Sequence, residues 1–366
     1  MTMQQIRQGF QSFQQILNDV GCRRYMLVCD ASFPFLPIKE AFKTDVVFDK
    51  FTPNPLYEQV CSGIEMFLSN QCDTIVAVGG GSTIDVAKCI KLFCRLDPSR
   101  NYLEQEYSDN GIPLIAIPTT AGTGSESTRY AVIYYQGKKQ SITHESIIPN
   151  YAILEPKLLT TLPLYQKKCT LMDALCQGIE SWWSVNSTDE SKQYSRKAIG
   201  MILQHWRDYI VNNTAAAADG IMTAANYAGR AINITQTTAP HAMSYKLTSM
   251  YGLPHGHAVA VCLPEVWQYM LENMDHCVDE RGPEYINRIF LDIAQMFNVS
   301  QPSQAIEQFR TMLQQMELAH PHPKENRLQE LDILCTSVNP TRLKNNPVQL
   351  TQEAILQLYD RILEKQ

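Results

Sequence analysis

The sequence predicts an α/β domain with a parallel sheet, followed by a second domain made of helices. At 366 residues the chain is longer than one hydrophobic core usually serves. Apolar runs of strand length alternate with amphipathic stretches up to about residue 160, and the rest of the chain has mainly the 3.6-residue periodicity of helices. We therefore place the two domains at residues 1–161 and 162–366.

The first half contains the elements of a parallel sheet covered by helices. The strand-like runs are "RYMLVCD", "VVFDKF", "DTIVAVGGG" and "IPLIAIPTT", and the helix-like stretches are "YEQVCSGIEMFLSN" and "TIDVAKCIKLFC". Continuous apolar strands separated by helices are typical of a sheet that is buried on both faces. These runs predict a Rossmann-like α/β domain.

Long stretches with helical periodicity dominate the second half. They are "KAIGMILQHWRDYIV", "IMTAANYAGRAINI" and "AIEQFRTMLQQM". Strand candidates are few after "NYAILEPKLLTTLP", and the chain has no visible internal repeat. The second domain is therefore expected to be all-α.

Composition and charge narrow the class of protein. The chain has 45% hydrophobic and 19% charged residues, a formal net charge of -6 and no long Lys/Arg run. This balance is typical of a globular protein and argues against nucleic acid or an anionic membrane as the main partner. No apolar stretch approaches the roughly 20 residues of a membrane span, and the start lacks the apolar core of a signal peptide. We expect a cytoplasmic protein without a membrane partner.

Eleven cysteines are scattered from Cys22 to Cys335 without a C-x-x-C pair. Many lie inside apolar runs such as "MLVCD" and "AVCLP", so we interpret them as reduced core residues. A catalytic cysteine stays open as the alternative, although no histidine signature accompanies any of them.

A glycine-rich turn between a strand and a helix predicts a phosphate site. "DTIVAVGGGSTIDVAKCIK" is a strand, three glycines, a hydroxyl residue and a helix. Glycines let the backbone approach a ligand closely, and a helix N-terminus offers free N–H groups and the positive end of a dipole. The alternative is an ordinary tight turn, but three consecutive glycines exceed what such a turn requires. The residues predicted to bind a dinucleotide here are Gly79, Gly80, Gly81, Ser82 and Asp85.

A second polar loop, "IPTTAGTGSES", follows another apolar strand. Its Thr119, Thr120 and Thr123 supply hydroxyls, and two such loops at strand ends suit the crevice where α/β sheets bind nucleotides. Asp30, at the end of "RYMLVCD", is placed to accept a hydrogen bond from a ribose hydroxyl and to repel a 2′-phosphate. This favours NAD(H), with NADP(H) still possible. The alternative for Asp30 is an ordinary turn aspartate.

Four polar side chains in the second half predict a metal site. "TLMDALCQGIESWW" puts Asp173 and Gln177 four positions apart on a helix, hence on one face. "PHAMSYKLTSMYGLPHG" holds His241 and His255 around a helix that stops at Gly252, and its Pro-His-Gly corner would fix the second imidazole at the start of a new helix. A single histidine is more often structural, but here one carboxylate, one amide and two imidazoles would converge on a divalent ion.

Together these motifs resemble the iron-dependent (group III) alcohol dehydrogenase family over nearly the whole chain. They are "GGGSTIDVAK", "PTTAGTGSE", "DALCQGIE" and the spacing from His241 to His255. The resemblance implies a Rossmann-like NAD(P)-binding domain, a helical domain of the dehydroquinate synthase-like type, and a metal in the cleft between them. It also implies reduction of a small aldehyde to a primary alcohol, in which a nicotinamide supplies hydride and the metal polarises the aldehyde oxygen. A homodimer or larger homo-oligomer is expected.

The resemblance assigns roles to individual residues. The family's metal aspartate falls on Asp173, and its two later histidines fall on His241 and His255. The family often has a histidine where this chain has Gln177. An amide oxygen is a weaker ligand than an imidazole, so Fe²⁺ or Zn²⁺ is expected while Ni²⁺ and Mn²⁺ stay open. Tyr245 stands where many members have a histidine suspected of proton transfer, so Tyr245 or water would fill that role.

Within the family, three stretches resemble most the phosphonoacetaldehyde reductases, which make 2-hydroxyethylphosphonate: "SWWSVNSTDESKQYS", "AGRAINITQTTAPHAMSY" and "NPTRLKNNPVQLT". A phosphonate needs fixed positive charge, for which the guanidinium fork is suited. The candidate substrate residues are Arg230, Ile232 and Arg342, with Lys246 as a lesser contributor. For each arginine the alternative is a solvent-reaching side chain or a loop cap. Lys139, in "GKKQ" on an expected hairpin turn, matches a family lysine near the nicotinamide ribose, with a solvated charge as the alternative.

Three other functions stay open. A group III dehydrogenase could act on a neutral small alcohol or polyol instead. A dehydroquinate-synthase-like lyase shares the two-domain plan with NAD and a metal, but its substrate would demand more basic and polar groups around the metal than this sequence supplies. A non-catalytic nucleotide or metal sensor would keep only the fold, and it would bind NADH without turnover.

Overall fold

The computed structural model describes residues 4–363, and the chain divides into two compact units. One unit consists of Met1–Leu162 and Asn213–Gly229, and the other consists of Pro163–Asn212 and Arg230–Gln366. The sequence predicts a single division at residue 162, which does not describe the return of the segment Asn213–Gly229 to the first unit.

Close backbone packing explains why this segment belongs to the first unit. A Cβ atom added to Gly229 would lie 2.6 Å from the carbonyl oxygen of Gly124, so both positions need glycine where these two segments of the backbone meet. The amide of Asn226 also donates to Glu126 Oε1 at 3.0 Å and to Ser127 Oγ at 2.7 Å. These are contacts between residues about a hundred positions apart, which local sequence patterns do not record.

The first unit is built on a six-stranded parallel sheet in the order β1-β8-β5-β4-β2-β3. Its strands are β1 (Gln5–Gln8), β2 (Tyr25–Cys29), β3 (Val47–Phe48), β4 (Thr74–Gly79), β5 (Leu114–Pro118) and β8 (Tyr151–Leu154). A separate antiparallel hairpin consists of β6 (Tyr130–Tyr135) and β7 (Lys138–Thr143). The helices of this unit are α1 (Phe13–Asp19), α2 (Tyr57–Ser69) and α3 (Gly81–Phe93). The predicted Rossmann-like domain is confirmed.

Strand β4 shows why the central strands are apolar throughout. Ile75 and Ala77 point into a core on one face of the sheet, and Val76 and Val78 point into a core on the other face. All four are fully buried, and each large side chain contributes about 1.5–3 kcal/mol by leaving water. Strand β1, by contrast, reads "QIRQ" and is mostly exposed, so the sequence gives no sign of it. It forms by pairing with β8, as from Gln5 to Tyr151.

The second unit is helical, as predicted. Its helices are α4 (Leu164–Trp183), α5 (Asp189–Arg207), α7 (Ala239–Tyr251), α8 (His255–Glu272), α9 (Pro283–Met296), α10 (Pro302–Gln315), α11 (Arg327–Ser337), α12 (Pro340–Leu343) and α13 (Gln352–Ile362). Helix α6 (Ala215–Thr235) begins in the segment assigned to the first unit and ends in the second. In the core of the second unit, Trp183 packs edge-on against Trp267 at 5.7 Å and against Phe290 at 6.0 Å between ring centroids.

Two expectations from composition concern the whole chain. Within residues 4–363, no helix combines the length and the apolar character that crossing a membrane requires. The cysteines are free thiols and most of them are buried. Burial raises the pKa of Cys29 and of Cys169 to about 12, which keeps these thiols protonated and poorly nucleophilic.

Candidate metal centre and dinucleotide loops

One face of helix α4 carries three polar side chains in a column. Asp173, Gln177 and Glu180 are spaced four and three residues apart, so they lie one above the other. Their exposed fractions are 2%, 3% and 0%. Burying polar groups costs free energy unless they find partners, so this face of α4 is a candidate site.

Helices α7 and α8 bring two histidines to that column. Helix α7 carries His241 and ends at Gly252, whose φ of 73° is in the left-handed region and reverses the chain. Helix α8 then begins at His255. A Cβ atom on Gly256 would lie 2.0 Å from the carbonyl oxygen of Cys169 and 2.8 Å from the Cβ of Asp173. Only glycine allows the start of α8 to approach α4 this closely, and that approach places His255 beside the carboxylate.

Three of the four predicted ligands, one carboxylate and two imidazoles, converge. One ligand atom from each of Asp173, His241 and His255 lies within 4.8 Å of the others. His241 Nε2 is 3.3 Å and His255 Nε2 is 4.0 Å from Asp173 Oδ1. Asp173 Oδ1 and His241 Nε2 are buried and have no hydrogen-bond partner, so a cation would satisfy both. Imidazole nitrogen and carboxylate oxygen suit first-row divalent metals, and the residues therefore fit the predicted metal.

The fourth predicted ligand, Gln177, lies against the carboxyl group of Asp173. Burial raises the pKa of Asp173, but the neighbouring His241, His255 and Gln177 side chains outweigh burial and lower it. The carboxyl group is therefore held as the anion that metal binding requires.

Glu180 orients His241, a role that the sequence analysis did not assign. Its Oε1 accepts a short hydrogen bond from His241 Nδ1, and its Oε2 accepts from the backbone N–H of Thr238 at 2.7 Å and from Thr238 Oγ1 at 2.9 Å. Burial lowers the pKa of His241, but the charge of Glu180 and contacts with both carboxylates outweigh burial and raise it to about 9. Glu180 keeps a proton on Nδ1, so Nε2, which faces Asp173, is the nitrogen that a metal would use. The sequence feature that could have indicated this role is that Glu180 follows Asp173 by seven residues, which is two helical turns.

The ring of Tyr245 contacts both His255 and Arg342. The ring of Tyr245 lies parallel to His255, with an interplanar angle of 6° and 5.6 Å between centroids. The guanidinium carbon of Arg342 lies over the same tyrosine ring, 5.4 Å from its centroid, and Arg342 Nη1 donates to Tyr245 Oη at 3.4 Å. The side chain of His255 is 37% exposed, against 5% for His241, so solvent reaches the candidate centre at His255.

The other predicted substrate residues take different places. Arg230 lies over the ring of Tyr194 on α5, at 5.6 Å. Ile232 is 9% exposed and belongs to the core, and Lys246 is half-buried on α7. Of the two predicted arginines, Arg342 is the one whose described contacts lead, through Tyr245, to a candidate metal ligand.

In the first unit, the glycine turn, the second loop and Asp30 come together. Strand β4 ends at Gly79, Gly80 precedes helix α3, and α3 begins at Gly81. A Cβ atom on Gly79 would lie 2.7 Å from Asp30 Oδ2, and one on Gly81 would lie 2.9 Å from Thr123. The nearest atoms to a Cβ on Gly80 would belong to Thr120. The glycines thus let the two predicted loops pack directly on each other.

Asp30 accepts hydrogen bonds both from its own turn and from helix α3. Its Oδ1 accepts from the backbone N–H of Ser32 at 2.9 Å and from Ser32 Oγ, and its Oδ2 accepts from Thr83 Oγ1 at 2.9 Å. The turn role that the sequence left open is therefore present. It also fixes the carboxylate beside the glycine turn.

Asp85 points into the unit instead of towards the glycine turn. Its two carboxylate oxygens accept from Ser125 Oγ at 2.7 Å and from the backbone N–H of Val132 at 2.9 Å. Burial raises the pKa of Asp85, with Lys88 opposing that shift. These contacts give Asp85 a role in holding the second loop and the hairpin to α3.

Lys88 also holds the second loop and the hairpin to α3, and it was not identified from the sequence. It is fully buried, and its Nζ donates to Thr128 O at 2.7 Å and to Tyr130 O at 2.8 Å, with the hydroxyls of Ser125 and Thr128 at 3.1 Å. Burial lowers the pKa of Lys88 to about 8, despite the opposing charges of Asp85 and Glu126. Lys88 lies among buried, mostly apolar residues of α3. Its role was therefore not apparent from the helical periodicity.

Lys139 lies on strand β7 and not in the turn. The turn consists of Gln136 and Gly137, both with positive φ, and Lys139 pairs with Tyr134 on β6. The charge of Lys139 lowers the pKa of Asp85, so the Lys139 side chain lies within electrostatic reach of this carboxylate on α3.

Known proteins agree with this arrangement. The model of the iron-containing alcohol dehydrogenase family matches residues 4–156, and that of the C-terminal part of the Fe-containing alcohol dehydrogenase family matches residues 168–363. A phosphonoacetaldehyde reductase of Streptomyces viridochromogenes is 33% identical over 238 residues, which are 60% of this chain and 59% of that protein. An NAD-dependent methanol dehydrogenase of Bacillus methanolicus is 30% identical over 268 residues, which are 70% of each protein.

A solved structure shows the same fold over the full length. It is sulfoacetaldehyde reductase from Bifidobacterium kashiwanohense in complex with NAD+, with a TM-score of 0.88 and 24% identity, covering 100% of this chain and 98% of that chain. The predicted resemblance to this family of alcohol dehydrogenases is confirmed. The chain belongs to the iron-containing alcohol dehydrogenase family.

Proposed function

We propose that this chain reduces a short aldehyde carrying an anionic group, with NADH as the hydride donor. Phosphonoacetaldehyde, which would become 2-hydroxyethylphosphonate, is the first candidate. The observation that carries the proposal is that Arg342 and His255, a candidate metal ligand, both contact the ring of Tyr245. Relatives named as phosphonoacetaldehyde and sulfoacetaldehyde reductases support an anionic substrate.

The metal would be held by Asp173, His241 and His255, with the Gln177 amide beside the carboxylate. When bound, a divalent cation acts as a Lewis acid towards the aldehyde oxygen. This donor set accepts several first-row metals, so we propose Fe²⁺ or Zn²⁺, with Ni²⁺ and Mn²⁺ as further candidates.

Arg342 and Tyr245 would act on the two ends of the substrate. The planar fork of Arg342 would bind the phosphonate oxygens through charge-assisted hydrogen bonds and so orient the aldehyde towards the ligand histidines. The phenol oxygen of Tyr245 accepts from Arg342 Nη1 at 3.4 Å and carries its own O–H hydrogen. We propose that this O–H donates to the aldehyde oxygen and supplies its proton, while hydride from NADH forms the new C–H bond.

The dinucleotide would bind at the loops of the first unit. Backbone N–H groups at Gly79–Ser82 would receive the diphosphate, and the hydroxyls of Thr119, Thr120 and Thr123 would line the same place. Lys139 is retained as a candidate contact to the nicotinamide ribose.

Asp30 would accept a hydrogen bond from a ribose hydroxyl. A carboxylate offers about four acceptor sites, so its bonds to Ser32 and Thr83 leave capacity for one more. A 2′-phosphate beside this charge would be repelled, and NADH should therefore be preferred over NADPH.

The test compares Arg342→Ala with wild type on phosphonoacetaldehyde and on propionaldehyde, following NADH oxidation by absorbance. Loss of a charge-assisted contact should raise KM for the anionic aldehyde about thirtyfold, or about 2 kcal/mol, and leave KM for the neutral aldehyde almost unaffected. Any loss through Tyr245, which Arg342 contacts, should instead lower kcat for both aldehydes alike. Arg230→Ala is the matched control, because Arg230 lies over Tyr194 and should affect both substrates alike. Equal losses on both substrates for Arg342→Ala would indicate a structural arginine. A wild-type enzyme that prefers propionaldehyde would refute the anionic substrate.

A further inference from the structure

The segment that carries Arg342 cannot hold its own position. Helix α12 comprises only Pro340–Leu343, and a helix of one turn gains too few hydrogen bonds to be stable alone. The place of the guanidinium must therefore be fixed by bonds from this segment to other parts of the second unit.

Asn345, two residues after α12, makes those bonds. Its side-chain Oδ1 accepts from Asn186 Nδ2 at 3.0 Å, and its own Nδ2 donates to Gln236 Oε1 at 3.0 Å and to the carbonyl oxygen of Thr237 at 3.1 Å. Its backbone carbonyl accepts from the N–H of Val185 at 3.1 Å. One residue thus ties the Arg342 segment to two separate stretches of chain.

Both stretches lead directly to the metal centre. Val185 and Asn186 follow the end of α4, the helix that carries Asp173. Thr237 precedes Thr238, which Glu180 binds, and helix α7 with His241 and Tyr245 begins immediately afterwards. Asn345 therefore connects the arginine to the same two helices that supply the metal ligands.

We infer that Asn345 is a positioning residue that fixes Arg342 relative to the metal centre and so determines selectivity for anionic aldehydes. This inference rests on the proposed function. Asn345 touches neither substrate nor metal ligands among its described contacts. It acts through the guanidinium.

The chemistry of the site requires an amide. Asn345 uses one acceptor and two donor hydrogens at once, and alanine would supply none of them. Aspartate would keep the acceptor but would set a carboxylate oxygen against the carbonyl oxygen of Thr237, which cannot donate. Both substitutions should therefore release the segment.

The experiment measures kcat and KM for phosphonoacetaldehyde and propionaldehyde in wild type, Asn345→Ala, Asn345→Asp and Arg342→Ala. Both Asn345 variants should raise KM for the anionic aldehyde about fivefold, because a misplaced guanidinium loses part of its contact, while kcat changes less than about twofold. The neutral aldehyde and the bound metal content should be unchanged. Asn212→Ala, which removes one exposed amide bond to Asp208 in the same unit, is the matched control.

A double variant separates positioning from general destabilisation. If Asn345 acts only through Arg342, the variant with both Arg342→Ala and Asn345→Ala should have the KM of Arg342→Ala alone. Additive losses, equal losses on the two aldehydes, or no effect of Asn345→Ala would each overturn the inference. Should Asn345→Ala fail to fold, Asn186→Ala removes one of its bonds and should give a smaller loss of the same selectivity.

The outcomes also separate this inference from the proposed function. If Arg342→Ala distinguishes the two aldehydes and Asn345→Ala does not, only the inference fails. If Arg342→Ala does not distinguish them, the proposed anionic substrate fails and the inference falls with it.

Discussion

Replacing Glu180 by glutamine should weaken metal binding although Glu180 is not a ligand. The substitution keeps the size of the side chain and changes one carboxylate oxygen into an NH₂ group. In the wild type, one oxygen of Glu180 accepts from His241 Nδ1 and the other accepts from the N–H and Oγ1 of Thr238. All of these donors face a group that only accepts.

Neither orientation of a glutamine amide satisfies this arrangement. If its NH₂ points towards Thr238, the amide sets a donor against the backbone N–H of Thr238. In the wild type this N–H has its acceptor at 2.7 Å. With its NH₂ towards His241, the ring must accept at Nδ1, and its hydrogen moves to Nε2, the atom that faces Asp173. A buried hydrogen bond left unmade costs about 1–3 kcal/mol. Loss of such outer contacts typically lowers metal affinity about 10- to 100-fold, which is the range we expect.

The measurement is a competition for Zn²⁺ or Fe²⁺ between the protein and a chromophoric chelator, for wild type and Glu180→Gln. Glu265→Gln is the matched control, because Glu265 is also a buried carboxylate of the second unit but pairs with Arg310. Thermal unfolding of all three proteins shows whether each is folded. A metal affinity of Glu180→Gln within about threefold of both other proteins would refute the orienting role.

Three further changes test the two sites. His255→Ala should lose bound metal and almost all aldehyde reduction, since it removes one of three converging ligand atoms; elemental analysis of protein purified without chelator measures this, and a full metal content would contradict the assignment. Asp30→Gly should narrow or reverse the preference for NADH in kcat/KM ratios; a wild type that strongly prefers NADPH already refutes the premise. Lys88→Met should remove a pH-dependent rise in the free energy of unfolding, because burial lowers the pKa of Lys88 to about 8 from 10.5. The unfolded chain then binds more protons between those pH values, so wild type should gain up to about 3 kcal/mol relative to the variant as pH rises through them. Parallel pH profiles in urea denaturation would show that Lys88 does not titrate there.

The sequence was most informative where function depends on local spacing. Asp173 and Gln177 share a helix face because they are four residues apart, and Gly252 ends one helix just before His255 begins the next. The glycine turn after β4 follows from local chemistry in the same way. Each of these features is encoded within about fifteen residues, so periodicity and turn chemistry were sufficient to predict them.

Features that depend on distant partners were not predicted. Asn345 looks like an ordinary loop asparagine until Asn186 and Gln236, each more than a hundred residues away, are brought beside it. Glu180 has the helical spacing of a site residue, but its role depends on which ring nitrogen of His241 it meets. Sequence spacing places a side chain on a face, and only the tertiary structure determines what that face meets.

The charges around His241 indicate how the metal centre gains its affinity. Two buried carboxylates, Asp173 and Glu180, contact opposite nitrogens of this ring, and buried negative charge is costly unless a positive charge balances it. Burial lowers the pKa of His241, yet these carboxylates raise it to about 9, and the same field would attract a divalent cation. If Gln177 is the fourth ligand, as proposed, its amide would bind less strongly than an imidazole, so a larger share of the binding free energy would fall to charge. Charge attraction discriminates poorly among ions of equal charge. We therefore expect this centre to distinguish divalent from monovalent cations more sharply than it distinguishes one first-row divalent metal from another.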